Sequence, residues 1–488
     1  MLNKYPFLSV YNPWWDNPGH TFDLPSFHRD VFDDLYADVV QLPQMISVTG
    51  PRRVGKSTLL QQCIQQLLQD HGAEQAQRIV YFTMNDPALG LPHIDAHQFF
   101  DDLVREFASR AGNGPVYLFL DEIQRFPRWE LYLKKYYDLK TPVRFVVSGS
   151  ASAPIFKKSH ESLLGRIKSY HVLPFSFREF LFFRHGEKIK GFSTSESLRK
   201  IGNTLRKLHS SQNLFEFLDG VIWSGLTRPT AKSDVSDVIN EYFYEGGFPE
   251  VWNLPSLLAK QEYLYQNQVE RVIFEDLLVA AEFRKPEMLR RFYLGLLVEP
   301  GLETNLAKLS KEIGLARGTI ESYFPLLEAT DLVWRLHKYT GGKASPKAGN
   351  FKTYLIDMAV RSAVMKLTPE QLLADQTMLG YYAENIIANH LRRWPGLVEV
   401  AYFRERNKEL DFVMDLGAER IAVEVKYRNK LGEDDLLQAS ELARKLKCSA
   451  LVVVCKEQLP PPSVTKRLKD KAKIKVSMVP LIDFIMLF

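Results

Sequence analysis

The feature that most constrains the fold of this chain is a glycine-rich loop between a short strand and a helix. Residues 46–48 form a mainly apolar strand, residues 50–57 follow the spacing Gly-x-x-x-x-Gly-Lys-Ser, and residues 58–64 continue with apolar side chains at helical intervals. The two glycines let backbone N–H groups face phosphate oxygens, and the positive end of the helix points at the same anion. The pattern predicts a P-loop on an α/β sheet, with ATP as its ligand.

Nine consecutive loop residues are candidates for contacts with ATP. Lys56 places a positive charge near the β- and γ-phosphates, and the Ser57 hydroxyl is a ligand for the Mg²⁺ that accompanies ATP. The predicted nucleotide-binding residues are Gly50, Pro51, Arg52, Arg53, Val54, Gly55, Lys56, Ser57 and Thr58.

A later apolar strand ends in two carboxylates. Residues 116–120 are continuously apolar, which is typical of a central strand buried on both faces, and Asp121 and Glu122 follow directly. Asp121 is predicted to hold Mg²⁺, and Glu122 to orient or deprotonate the attacking water. A loop that binds ATP without hydrolysing it is the alternative, and the presence of Glu122 favours hydrolysis.

Polar residues near two further strands complete the predicted catalytic set. Ser148 and Ser150 end the strand that begins at 143, where they would contact the lytic water or the γ-phosphate; otherwise they form a simple turn. Arg166 precedes the fifth strand and is a candidate arginine finger for the γ-phosphate of a neighbouring subunit. Its alternative is a surface ion pair. The predicted catalytic residues are Lys56, Glu122, Ser148, Ser150 and Arg166.

Residues 306–327 have the spacing of a helix-turn-helix unit. Apolar side chains recur at helical intervals, Gly314 lies at the turn, and residues 332–336 with the glycines at 341–342 would form a β-wing. The unit could equally serve as a protein interface, because glutamates on the second helix dilute its positive charge. The predicted DNA contacts are Arg317, Thr319, Ser322, Lys308 and Lys311.

Two carboxylates and a lysine lie in a second α/β pattern near the C-terminal end. Glu424 and Lys426 share one face of a strand because side chains repeat every two residues, and Asp411 lies beside them if the two strands form a hairpin. This set suits metal-dependent phosphodiester hydrolysis, with Asp411 and Glu424 as Mg²⁺ ligands and Lys426 as the catalytic lysine. An ordinary ion-paired surface is the alternative.

Six motifs occur in an order that resembles a large prokaryotic family of predicted AAA-type ATPases found in archaea and bacteria. They lie at residues 50–60, 120–124, 148–150, 163–166, 173–180 and 245–250. In that family the ATPase core is joined to a C-terminal domain of unknown function with a restriction-endonuclease-like PD-(D/E)xK fold. The resemblance covers nearly the whole chain. It implies a helical lid, a ring or dimer with Arg166 acting in trans, and Glu384 as the accessory acid of the nuclease-like site.

The strand–helix alternation and the resemblance together predict an α/β fold with a parallel-sheet core. The expected strands of the core lie near 46–48, 79–82, 116–120, 143–147 and 170–173, and those of the last domain near 399–403, 410–414, 420–425, 449–454 and 475–479. The predicted domains are an aromatic lead-in with a helix near 29–40 (1–45), an AAA-type core (46–175), a helical lid with an insertion around 184–240 (176–300), a winged-helix-like domain with a connector (301–380) and a nuclease-like domain (381–488).

Composition narrows the possible surroundings and partners. The net charge of +5 over 488 residues permits nucleic-acid binding without requiring it. The three cysteines are widely separated, which predicts reduced core residues in a cytoplasmic protein. Neither a signal peptide nor an apolar stretch of about 20 residues is evident, so no membrane contact is expected. The leading hypothesis is an ATPase acting on or with DNA; the alternatives are a protein-remodelling or signalling ATPase and a nucleotide switch with little turnover.

Overall fold

The computed structural model describes ten stretches of the chain, which are residues 4–112, 114–150, 163–186, 232–277, 285–340, 351–394, 399–417, 419–428, 433–456 and 473–486. Two sequence predictions therefore fall wholly or partly outside the described residues: most of the insertion at 184–240, and the wing glycines at 341–342. The chain divides into two compact units. The first comprises Met1–Leu173, Arg271–Arg284 and Ala329–Asp331, and the second comprises Pro174–Glu270, Lys285–Glu328 and Leu332–Phe488.

A five-stranded parallel sheet forms the centre of the first unit. Its spatial order is β2-β3-β4-β1-β5, and all neighbouring strands run parallel. The strands are β1 (Met45–Gly50), β2 (Ile79–Thr83), β3 (Val116–Asp121), β4 (Val143–Ser150) and β5 (Ile167–His171). The helices of this unit are α1 (Phe7–Tyr11), α2 (Phe32–Gln41), α3 (Lys56–His71), α4 (Ala96–Ala108) and α5 (Trp129–Asp138). The predicted parallel-sheet core is confirmed, although β5 begins three residues before the predicted position and α2 three residues after it.

The aromatic lead-in belongs to this unit because it covers the edge strand β2. The side-chain amide of Asn12 accepts a hydrogen bond from the Tyr81 N–H at 2.7 Å and donates one to the Tyr81 carbonyl at 2.9 Å, as a further strand would. The indole N–H groups of Trp14 and Trp15 both donate to the Ile79 carbonyl, at 2.9 and 3.0 Å. Side chains thus satisfy backbone groups that an edge strand otherwise leaves unpaired.

The second unit combines helices, a two-stranded hairpin and a five-stranded sheet. Its helices are α6 (Phe177–His185), α7 (Lys232–Glu245), α8 (Leu257–Tyr265), α9 (Pro286–Leu296), α10 (Leu306–Ile313), α11 (Arg317–Ala329), α12 (Met358–Val364), α13 (Pro369–Ala374), α14 (Gln376–Arg392), α15 (Glu433–Lys445) and α16 (Leu481–Ile485). The antiparallel hairpin is formed by β6 (Val333–His337) and β7 (Phe351–Leu355).

The larger sheet of the second unit is mixed, with the order β12-β11-β10-β9-β8. Strands β8, β9 and β10 pair antiparallel, whereas β10, β11 and β12 pair parallel. Apolar residues of this sheet pack against α15 around Leu410, Leu442 and Val453. The strands are β8 (Glu399–Glu405), β9 (Lys408–Asp415), β10 (Arg420–Lys426), β11 (Ala450–Cys455) and β12 (Lys475–Pro480), which are the five expected from sequence.

Two of the recognised motifs meet inside the second unit. The backbone of Gly247 donates to an Asp357 carboxylate oxygen at 2.7 Å and accepts from the Phe175 N–H at 2.7 Å. A Cβ at Gly247 would lie 2.4 Å from the Phe175 carbonyl oxygen. The motif at 245–250 therefore requires glycine because backbone of the motif at 173–180 packs directly against it.

The described residues also bear on two compositional predictions. All three cysteines, Cys63, Cys448 and Cys455, are buried free thiols. Within the described stretches, no helix combines the length and apolarity needed to cross a membrane.

Candidate nucleotide site and a second charged cluster

The glycine-rich loop connects the end of β1 to the start of α3. Gly50 has a φ of +149°, and a Cβ at this position would lie 2.0 Å from the Val172 carbonyl oxygen. Gly55 has a φ of +90° and Arg53 a φ of +63°, so the loop contains several residues in conformations that L side chains rarely adopt. The loop follows the end of β1 directly, and its N–H groups precede the 16-residue helix α3.

Lys56 lies within the loop rather than in solvent. Its ammonium donates to the carbonyl oxygens of Gly50 at 3.0 Å and Pro51 at 2.7 Å, and its side chain is buried. Burial lowers its pKa from the usual value, while the carboxylates of Glu122 and Asp121 oppose that shift. The structure thus brings together the lysine and both carboxylates that the sequence predicted for one site.

Asp121 is the most heavily hydrogen-bonded carboxylate of this site. One oxygen, Oδ2, accepts from the Ser57 hydroxyl at 2.6 Å and from the Tyr81 hydroxyl at 2.9 Å. The other, Oδ1, accepts from the Ser148 hydroxyl and from the Glu122 N–H at 3.0 Å. The Ser57 hydroxyl and the Asp121 carboxylate are in hydrogen-bond contact, and both are oxygen ligands of the kind that Mg²⁺ prefers. Ser57 and Asp121 therefore fit the Mg²⁺ position predicted for them.

Glu122 stands next to this carboxylate in an unusual backbone conformation. Its φ of +52° is left-handed, which is rare for a residue with a side chain. Its carboxylate accepts a hydrogen bond from the Gln124 amide, and that amide also lies 3.5 Å from the Ser150 hydroxyl. Ser148 thus contacts Asp121 and Ser150 lies near Gln124, while contacts of either serine with the lytic water or the γ-phosphate stay a prediction. Gln124 was present in the recognised motif, but its link between Glu122 and Ser150 was not predicted.

Arg52 is fixed by acidic residues from a distant part of the chain. Its guanidinium forms a bidentate contact with Asp276, at 2.7 and 2.5 Å, and lies 3.0 Å from Glu275. Both acidic residues belong to a π-helical turn, Val272–Asp276, which is part of the first unit. The sequence contains no local signal for this pairing, because 224 residues separate the partners. Arg52 was predicted only as a nucleotide contact.

Arg166 forms an ion pair in this structure. Its Nε lies 2.8 Å from Asp138 at the end of α5, and both side chains are partly exposed. This is the surface pairing that the sequence left open as the alternative to an arginine finger. Action on a neighbouring subunit stays a prediction.

The predicted carboxylates of the second unit meet across the β9–β10 hairpin. The Glu424 carboxylate accepts from the Asp411 N–H at 3.3 Å, and the Asp411 carboxylate accepts from the Val425 N–H at 2.8 Å. Lys426 donates to Glu424 on the same strand. Burial and the neighbouring Asp411 raise the pKa of Glu424 to about 8, although Lys426 opposes this shift. The hairpin that the sequence required for this arrangement is present.

A buried lysine that the sequence reading missed enters this cluster from the other hairpin. Lys352 of β7 lies 2.8 Å from Glu384, 2.6 Å from Glu409 and 3.7 Å from Asp411. Burial alone would lower its pKa, but the surrounding acidic groups, led by Glu384, raise it well above its usual value. Lys352, Glu384, Glu409, Asp411, Glu424 and Lys426 are called the carboxylate cluster below.

The carboxylate cluster does not present an open metal site. Within the described stretches, no group of three or more His, Cys, Asp or Glu side chains is arranged to hold a metal ion. The Oε1 atom of Glu384 accepts hydrogen bonds from both Lys352 at 2.8 Å and Tyr354 at 2.6 Å. Glu384 and Asp411 therefore face a buried protein cation, whereas the hydrogen bonds to Asp121 come from neutral hydroxyl and N–H groups. This difference in charge distinguishes the carboxylate cluster from the proposed Mg²⁺ position at Ser57 and Asp121.

The parallel sheet, the P-loop and the paired carboxylates of the first unit form the arrangement expected of a P-loop NTPase. Residues 43–181 match the family model described as an AAA domain, and this match supports ATP binding and ATPase activity. Residues 236–371 and 379–469 match two models described as domains of unknown function, DUF8612 and DUF4143. The coarse prediction of an AAA-type ATPase is confirmed, whereas the restriction-endonuclease-like nature of the last domain stays a prediction.

Two relatives from Methanocaldococcus jannaschii resemble most of the chain. Uncharacterized protein MJ1544 is 23% identical over 418 residues, which are 84% of this chain and 80% of the relative. Uncharacterized protein MJ1637 is 23% identical over 358 residues, which are 71% of this chain and 67% of the relative.

The solved structures that match include two of a replication initiator. DnaA bound to AMPPCP and single-stranded DNA covers 61% of this chain and 86% of its own at 13% identity, with a TM-score of 0.22. AMPPCP-bound DnaA from Aquifex aeolicus gives the same coverages at 14% identity, with a TM-score of 0.21. Both TM-scores are too low to support a statement about fold or function.

Proposed function

We propose that this chain is a Mg²⁺-dependent AAA-type ATPase that acts on or with DNA and carries a nuclease-like C-terminal domain. The observation that carries the ATPase part is the meeting of Ser57 and Asp121, with Lys56 buried in the same loop and Glu122 next in the chain. Each of these groups lies at the carboxyl edge of a parallel sheet, where α/β proteins bind their ligands.

Different residues of the site bind the phosphates, hold Mg²⁺ and orient the attacking water. The backbone N–H groups of residues 52–58 and the Lys56 ammonium bind the phosphates, and Glu122 orients the attacking water. Ser57 and Asp121 would hold Mg²⁺, which when bound supplies positive charge to the β- and γ-phosphates. Ser148 keeps Asp121 oriented through its hydrogen bond, and Gln124 joins Glu122 to Ser150.

The direct test is the release of inorganic phosphate from ATP by the purified chain. We expect turnover that requires Mg²⁺ and is absent in a Lys56→Ala variant, because that variant lacks the charge that holds the β- and γ-phosphates. Tight ATP binding with no phosphate release above the Lys56→Ala rate would instead support a nucleotide switch.

Replacing Tyr81 with Phe is expected to raise the Mg²⁺ concentration needed for half-maximal ATP hydrolysis by about tenfold, because partners of metal ligands typically tune affinity on this scale. The Tyr81 hydroxyl holds the same Asp121 oxygen that Ser57 contacts. Titrating Mg²⁺ at saturating ATP measures this effect.

Tyr117→Phe is the matched control, because Tyr117 is a buried tyrosine of the neighbouring strand β3. Its Mg²⁺ requirement should be unchanged. A role of Tyr81 in positioning Asp121 would be contradicted if Tyr81→Phe weakened ATP binding without Mg²⁺ by the same factor as it raised the Mg²⁺ concentration needed for half-maximal hydrolysis.

Arg166 is proposed to act on the γ-phosphate of a neighbouring subunit in a ring or dimer. Its present partner, Asp138, is 44% exposed, and Arg166 itself is 32% exposed. Exposed ion pairs of this kind contribute little to stability, because water screens them. A phosphate of higher charge can therefore replace Asp138 at little cost.

The DNA part of the proposal is supported by the geometry of α10 and α11. Asn305 caps the first helix, Gly314 ends it in a left-handed conformation with a φ of +68°, and α11 begins at Arg317. The hairpin β6–β7 follows, as in a winged helix. The exposed members of the predicted contact set are Lys308, Lys311, Arg317 and Ser322, while Thr319 is half-buried.

Binding to duplex DNA is expected to weaken steeply with salt, because lysine and arginine contacts release counterions from phosphates. Arg317→Ala should lower the slope of log Kd against log salt by about one unit. Fluorescence anisotropy with a labelled duplex at several salt concentrations measures it. Lys366→Ala, an exposed lysine after α12, is the control. If Arg317→Ala and Lys366→Ala changed the slope of log Kd against log salt equally, α11 would not be the DNA contact.

One observation favours the alternative of a protein-remodelling or signalling ATPase. Lys308 pairs with Glu299 at 2.8 Å, and Arg317 pairs with Glu321 at 2.9 Å. These pairs neutralise part of the surface that DNA would contact. Binding that does not respond to salt would support this alternative.

The nuclease-like part rests on Glu384, Asp411, Glu424 and Lys426 as the proposed site residues. Their meeting across β9 and β10 supports a PD-(D/E)xK arrangement. Cutting of DNA that depends on Mg²⁺ or Mn²⁺ and disappears in Asp411→Ala and Lys426→Ala would extend the proposal to cleavage. Cutting that survives both variants would rule these residues out.

A further inference from the structure

Lys352 is a nearly inaccessible lysine in the middle of the carboxylate cluster, and its side chain is only 2% exposed. We infer that its ammonium is a built-in cation that takes the place of a divalent metal beside Glu384 and Asp411. The inference concerns the carboxylate cluster alone and does not depend on ATP hydrolysis.

The Lys352 ammonium lies among several carboxylates, in the position that a bound cation would occupy. Its Nζ atom lies near three carboxylates from two different elements, namely Glu384 of α14 at 2.8 Å and Glu409 and Asp411 of β9 at 2.6 and 3.7 Å. Acidic side chains that converge from separate elements repel one another unless a cation lies between them. In this structure the cation is a side chain of the same polypeptide.

Four of the six carboxylate oxygens of Glu384, Asp411 and Glu424 accept hydrogen bonds from protein donors. Glu384 Oε1 accepts from Tyr354 as well as from Lys352. Asp411 Oδ2 accepts from the Val425 N–H, and Glu424 receives hydrogen bonds from the Asp411 N–H and from Lys426. A divalent ion would have to displace several of these donors to obtain the oxygen ligands it requires.

Charge balance explains why such a residue is tolerated in a buried strand. Every residue of β7 is buried, so an apolar side chain would be ordinary at position 352. The carboxylate cluster contains four carboxyl groups and two ammonium groups, and without Lys352 it would keep Lys426 as its ammonium, with Arg404 3.7 Å from Glu409 beside it. Buried charges are stable only when they are paired. Lys352 therefore neutralises part of the negative charge of the carboxylate cluster permanently, whereas a bound metal would do so reversibly.

Lys352 reaches the C-terminal domain from a different part of the chain. Lys352 lies outside the residues 379–469 that match the domain of unknown function, and it comes from the β6–β7 hairpin. The ammonium joins that hairpin to the five-stranded sheet. Metal-dependent cleavage at Asp411 would therefore require Lys352 to leave its position beside Glu384 and Asp411.

The test is Mn²⁺ binding to the full chain without nucleotide, followed by electron paramagnetic resonance of free Mn²⁺. All proteins carry Asp121→Asn, so that the nucleotide site does not contribute. Lys352→Met is expected to gain one Mn²⁺ site per chain, with an affinity at least about tenfold above that of the parent, a change worth 1.4 kcal/mol. Adding Asp411→Asn to Lys352→Met should abolish the gain.

Lys426→Met is the matched control, because it removes the other ammonium of the cluster, which is 24% exposed and contacts Glu424 rather than Glu384. It should not create the new site. If Lys352→Met does not fold, Lys352→Met/Glu409→Gln keeps the net charge of the cluster and serves the same comparison. Equal Mn²⁺ binding by the parent and the folded Lys352 variant, or a gain that survives Asp411→Asn, would overturn the inference.

Discussion

Replacing Glu122 with Gln is expected to lower the rate of ATP hydrolysis by about a hundredfold or more, the usual contribution of a positioned general base, while ATP remains bound. Glu122 directly follows Asp121, which contacts Ser57, and its backbone N–H donates to the Asp121 carboxylate at 3.0 Å. An amide has nearly the same shape as the carboxylate but cannot accept the proton of water. Phosphate release at saturating ATP and equilibrium ATP binding together measure the effect.

The control for this variant is Glu130→Gln, a half-exposed glutamate in the first turn of α5. It should retain the parental rate of hydrolysis. Glu122→Gln chains that bind ATP and release phosphate at the parental rate would show that another residue activates the water. Loss of ATP binding together with hydrolysis would mean that Glu122 contributes to the shape of the loop instead.

Replacing Gly50 with Ala is expected to remove the nucleotide site and to destabilise the first unit by about 3 kcal/mol or more, from overpacking and backbone strain together. A Cβ at this position lies 2.0 Å from the Val172 carbonyl oxygen, and the obstacle is backbone that cannot rotate away. The Val172 N–H also donates to the Thr49 carbonyl at 2.7 Å, so the two segments are tied together. For a unit of this size the melting temperature should fall by about 6 to 12 °C.

Thermal unfolding and ATP binding measure this prediction, with Gly90→Ala as the control. Gly90 belongs to the same unit, its φ lies outside the left-handed region, and nothing lies within 4 Å of an added Cβ. That variant should bind ATP normally and melt close to the parental temperature. A Gly50→Ala protein with parental stability would show that the strand end and Val172 can separate freely.

Predictions from sequence succeeded where the signal is local. The P-loop, the strand that ends in Asp121 and the strand that carries Glu424 and Lys426 each place their functional residues within a few positions of one another. Backbone geometry alone then orients them, because a helix or strand repeats its side chains at a fixed period. The five strands of the last domain were found for the same reason.

Predictions failed or stayed incomplete where partners are far apart in sequence. Tyr81 and Asp121 are 40 residues apart, and Arg52 and Asp276 are 224 apart. Neither pair has a fixed period or a turn that would reveal it, and each forms only when strands or segments from different regions pack together. Arg166 shows the same limit, since its ion pair with Asp138 joins two elements that the sequence does not connect.

The amino-acid sequence alone determined that this chain contains a P-loop with two carboxylates on a parallel α/β sheet, because these residues lie in single strands and loops whose geometry is local. Only the tertiary structure decided what surrounds them. It brings Tyr81 and Ser148 to Asp121, and Lys352 to Glu384 and Asp411. Buried charges select partners by proximity in space, and proximity between distant segments exists only after the sheets have formed and packed.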